Sequence, residues 1–110
     1  MSAFEQQGNT VTFTAAASAP TAVQCTGNAG GRSPQYLITN IGAVTAFVGF
    51  SPLSAADAAV YAVVPTGTSR YCLPVLAGSQ ISFSGPPDAY FTGITSGGSA
   101  IVYVTPGYGD

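Results

Sequence analysis

Residues 34–50, Pro-Gln-Tyr-Leu-Ile-Thr-Asn-Ile-Gly-Ala-Val-Thr-Ala-Phe-Val-Gly-Phe, decide the fold class. The stretch reads as two β-strands, Gln35–Thr39 and Val44–Phe50, joined by a turn over Asn40, Ile41, Gly42 and Ala43. Asn and Gly accept the positive φ angles of tight turns, so Asn-x-Gly between two apolar runs predicts a hairpin. Along the second strand Val44, Ala46, Val48 and Phe50 face one way, and Thr45, Phe47 and Gly49 the other. Neither face is charged. Such a strand is expected to bury one face in a core and to meet a second sheet or another subunit with the other.

Outward from this stretch the chain keeps the same rhythm. Thr10–Ala15 alternates, with Val11, Phe13 and Ala15 on one side and Thr12 and Thr14 on the other. Thr21–Cys25 is a short candidate strand, followed by a Gly-rich connection, residues 27–34, that carries Arg32. No Gly-Lys-Ser/Thr follows those glycines, so they are not a phosphate loop. Residues 51–70 read as a loop with one possible helical turn, because Ser54 and Asp57 have the spacing of a capping box. Tyr71–Leu76 is broken by Pro74 and therefore belongs at a sheet edge. Gln80–Ser84 alternates again, and Ala89–Ile94 with Ala100–Thr105 suggests another hairpin around residues 96–99. About seven or eight short strands with regular turn signals predict a single antiparallel β-sandwich, Ig-like or jelly-roll in topology. Residues 1–9 read as a polar N-terminal arm with Phe4 as its apolar anchor, preceding one sandwich domain over 10–110. A chain of 110 residues is long enough to bury roughly two-thirds of its unfolded surface in one core.

Charge is the outlying property. Only 5% of residues are charged, against about 25% in an average soluble domain. Glu5, Asp57, Asp88 and Asp110 face Arg32 and Arg70, and there is no Lys or His. A surface built from Ser, Thr, Asn, Gln and backbone repels neighbouring copies weakly, which favours assembly. Two scattered Arg cannot neutralise a phosphate backbone, so nucleic acid is excluded as a partner. No run approaches the ~20 apolar residues that span a bilayer, and no signal-type segment opens the chain, so synthesis in the cytoplasm and no membrane partner are expected. Cys25 and Cys72 lack a metal-type spacing and are expected to be reduced, inert thiols. Without His, and with its acids far apart in sequence, the chain lacks the makings of a general base or an activated nucleophile. It is therefore read as a protein without enzymatic activity, cofactor or metal. The candidate interface residues are Phe4, Phe47, Arg32 and Arg70.

Several phrases resemble a known family: Tyr36–Gly42 (YLITNIG), Thr45–Phe50 (TAFVGF), Leu73–Gly78 (LPVLAG), Pro87–Ile94 (PDAYFTGI) and Gly98–Gly107 (GSAIVYVTPG). They are similar to small β-sandwich virion proteins of tailed bacteriophages, the capsid decoration or cement proteins, over about residues 34–107. The resemblance implies a homotrimer on the capsid exterior that binds the major capsid protein and stabilises the shell. Alternatives are a head-fibre, tail or baseplate component, or a carbohydrate-binding adhesin.

Overall fold

A computed structural model describes residues 4–28, 34–64 and 72–108. Among the described residues nine strands and one helix follow in order: β1 (Glu5–Gln6), β2 (Val11–Ala15), β3 (Val23–Gln24), β4 (Pro34–Asn40), β5 (Ala46–Ser51), α1 (Ala55–Tyr61), β6 (Leu73–Val75), β7 (Gln80–Ser84), β8 (Tyr90–Ile94) and β9 (Ala100–Tyr108). They form two antiparallel sheets packed face to face. In the first, β1 and β2 lie along one side of the long β9, followed by β4 and then β7 at the far edge. In the second the order is β3-β8-β5-β6.

Every connection from β2 to β9 crosses between the sheets except β5 to β6. With β1 and β2 sharing one position beside β9, the two sheets have four strand positions each, and that linkage is the jelly-roll arrangement; an Ig-like sandwich divides its strands four and three. The expected hairpin over 34–50 is therefore corrected. Pro34–Asn40 pairs with β7 and β9, whereas Ala46–Ser51 pairs with β6 and β8, so the two strands lie in opposite sheets. The physical reason is the Asn40 side chain. Its Nδ2 donates to the Val44 carbonyl at 3.0 Å and the Val75 carbonyl at 2.9 Å, while its Oδ1 accepts from the Gly42 N–H at 2.8 Å. A buried amide thus satisfies the backbone of a corner. Gly42 is required there because a Cβ would lie 2.5 Å from the Ala100 Cα. The expected pairing of 89–94 with 100–105 fails likewise, since β8 and β9 belong to different sheets.

The core lies between the sheets. Phe13 and Ala15 from β2, Tyr36 and Ile38 from β4, Val48 from β5, Phe91 from β8, and Val102 and Val104 from β9 are all buried, each at the alternate positions of its strand. Four aromatic rings fill one region: Tyr36 meets Phe91 edge-on at 4.8 Å, and Phe50 lies 5.2 Å from Phe83 and 5.7 Å from Phe91. Such pairs add about 0.5–1.5 kcal/mol beyond their buried area.

Helix α1 begins where the Ser54 Oγ accepts the Asp57 N–H at 3.1 Å, so the capping spacing read from sequence is realised. The helix covers the outer face of β5 and β8. At Gly49 the second face of β5 is thus met by the chain's own helix. Gly49 makes this possible: a side chain would strike the Ala58 carbonyl and the Ala62 amide.

Candidate interaction surface

The acids are engaged in local structure. Asp57 accepts the Ser51 hydroxyl at 2.5 Å and sits in the first turn of α1. Asp88 occupies a left-handed turn position, φ 55°, and its Oδ1 accepts the Gly27 N–H at 3.4 Å. Among the described residues no three His, Cys, Asp or Glu side chains gather as metal ligands. Both cysteines are free. Cys25 is fully buried and its Sγ donates to the Val104 carbonyl at 3.6 Å. Burial, followed by the nearby Asp88 carboxylate, pushes its pKa from 9.0 up to about 12, so it stays a thiol at neutral pH. Tyr36 donates its hydroxyl proton to the Pro86 carbonyl and accepts the Ala89 N–H at 3.1 Å. Burial raises its pKa as well, against the lowering effect of the Ala89 bond. These groups hold the sandwich together.

The interface candidates fall in separate places. Phe4 is half-buried, with its ring against Gly107: a Cβ there would come within 2.6 Å of the Phe4 Cζ. Just after it, Glu5 and Gln6 pair with Tyr108 and Gly107. Part of the expected polar arm is therefore a short strand of the first sheet. Backbone pairing explains this, because it needs no apolar pattern. Phe47 is half-buried on the outer face of the second sheet, opposite Ile94 on one side and Pro74 on the other. Arg32 and Arg70 lie outside the described residues.

Two surfaces stand out. One is the outer face of the first sheet, where the register aligns Thr12 and Thr39 on either side of Tyr103, and sets Ser82 beside Leu37. No charged residue occurs at these positions. The second surface lies where, among the described residues, β6 and β7 form the edges of their respective sheets. Between them is a cavity of about 210 Å³ lined by Phe50, Cys72, Leu73 and Phe83. Sequence reading did not single out this cavity, although Pro74 signalled an edge there. Among the described residues β6 has three residues against five in β7.

No protein-family model matches this chain, and no curated protein or solved structure matches it. Among the described residues no helix is long and apolar enough to cross a membrane.

Proposed function

We propose that the protein is a structural virion component that binds the outside of a bacteriophage capsid and stabilises it, as a decoration or cement protein. Its partners on this reading are the major capsid protein and other copies of itself. The observation that supports it best is a sandwich whose described exterior is almost free of charge. Of the described residues only Glu5, Asp57 and Asp88 are charged, and Asp57 and Asp88 are tied into local hydrogen bonds. Covering a neutral face of Thr, Ser and Gln costs far less than stripping water from charges, and such a face suits permanent assembly on another protein. The resemblance of residues 34–107 to small phage virion proteins points the same way.

The test is reconstitution. Purified protein is mixed with undecorated tailed-phage capsids, and its occupancy and the capsids' resistance to heat are measured. Stoichiometric occupancy with raised heat resistance is expected. An absence of binding to capsids, with the protein found instead at low copy number in tails, would replace this reading with that of a tail or baseplate part.

A further inference from the structure

We propose that the free edge of β7 is a self-association site, at which a second copy of this chain pairs antiparallel about a two-fold axis through Ser82. Among the described residues β7 bonds to β4 on one side only, leaving its other row of N–H and C=O groups without a strand. Such an edge is a template for another chain unless it is shortened, charged or interrupted by Pro. The edges of the second sheet are protected in these ways: β3 has two residues, and β6 has three with Pro74 among them. Strand β7 has five residues, Gln-Ile-Ser-Phe-Ser, with no charge and no Pro.

The sequence of β7 is self-complementary in one register. Centred on Ser82, antiparallel pairing sets Ile81 opposite Phe83 of the second copy on the inner face, and Gln80 opposite Ser84 on the outer face. No like charges meet, although each chain carries a net charge of −2. The cavity lined by Phe50, Leu73 and Phe83 lies directly inside this edge. Pairing would carry the inner-face Ile81 and Phe83 of the second copy over its mouth, adding apolar burial to the backbone bonds. The other five-residue edge, β2, is drawn toward the second sheet at its end by the bridge from Ala16 to Ile94. A two-fold pairing of this kind is isologous and closes on itself as a dimer. It does not depend on the virion reading, because it requires only the isolated protein.

Light scattering at high micromolar concentration tests it, with variants at the exposed Ser82. The wild type is expected to have the mass of two copies. Ser82→Lys and Ser82→Glu each place like charges opposite one another at the axis, and each is expected to have the mass of one copy and to melt as the wild type does at dilutions where it too is monomeric. An equimolar mixture of the two variants should recover the two-copy mass, and Ser82→Thr should behave as the wild type. A wild-type monomer or trimer, a dimer indifferent to these charges, or a mixture that stays monomeric would each overturn the proposal. Capsid binding is scored separately, so either idea can fail alone.

Discussion

At Asn40 one buried amide joins three pieces of chain. Its three hydrogen bonds reach Val44, Val75 and Gly42, fixing the corner between the sheets and the end of β6 together. Removing the amide leaves two carbonyls and one N–H without it, and each buried group left unsatisfied costs about 1–3 kcal/mol. Asn40→Ala should therefore destabilise the protein by about 2–4 kcal/mol, the half-buried Val44 end recovering part of its loss through water. Urea unfolding gives the measurement, read as a lower midpoint with an unchanged slope. A loss below about 1 kcal/mol would mean that the corner holds without the side chain. The same residue explains the misplaced hairpin. Asn-x-Gly has the backbone freedom for either a tight turn or a sheet-to-sheet corner, and only the distant carbonyl of Val75 selects the corner.

At the level of elements, alternation was enough to locate β2, β4, β7 and most of β9, because an apolar-in, polar-out period of two is local information. Pairing was not legible. In a jelly roll the partners come from far along the chain, as with β4 and β9, and no short-range signal specifies them. The strand β1 was hidden for a related reason: Glu5 and Gln6 are held by backbone bonds to β9 and by the anchorage of Phe4 on Gly107. The helix was legible from its cap, yet its seat depends on Gly49, whose role appears only when α1 is placed over β5. Gly49→Ala tests that seat. A methyl group would ordinarily help a strand by about 0.5–1 kcal/mol. Here it would press on the backbone of residues 58 and 62, which cannot rotate aside. A net loss of about 1–3 kcal/mol is expected, as for other overpacked sites. Faster hydrogen exchange at the α1 amides should accompany it, with the β4–β9 ladder unaffected. An unchanged or raised stability would show that the helix can shift without cost.

For the whole molecule the scarcity of ionisable groups shapes the response to pH. With no His, nothing of ordinary pKa titrates near neutrality in the side chains, so stability should form a plateau there. Alkali acts through the buried acids Cys25 and Tyr36, both raised by burial. The sign follows from linkage: each group binds its proton more tightly folded than unfolded, so deprotonation favours the unfolded chain. The stabilisation from Cys25 is complete below its ordinary value of 9.0 and is lost as pH rises toward about 12. Tyr36 adds a loss beginning above its ordinary value of 10.0. Melting temperatures measured from neutral pH upward should therefore hold level and then fall, beginning near pH 9. Cys25→Ala should lower the plateau by leaving a small cavity but remove the first part of the decline, so that the fall begins only in the Tyr36 range. Since both thiols are free, reductant should leave the melting temperature unchanged throughout the plateau. If Cys25→Ala declines from the same pH and with the same slope as the wild type, the buried thiol is not the group that sets the alkaline limit.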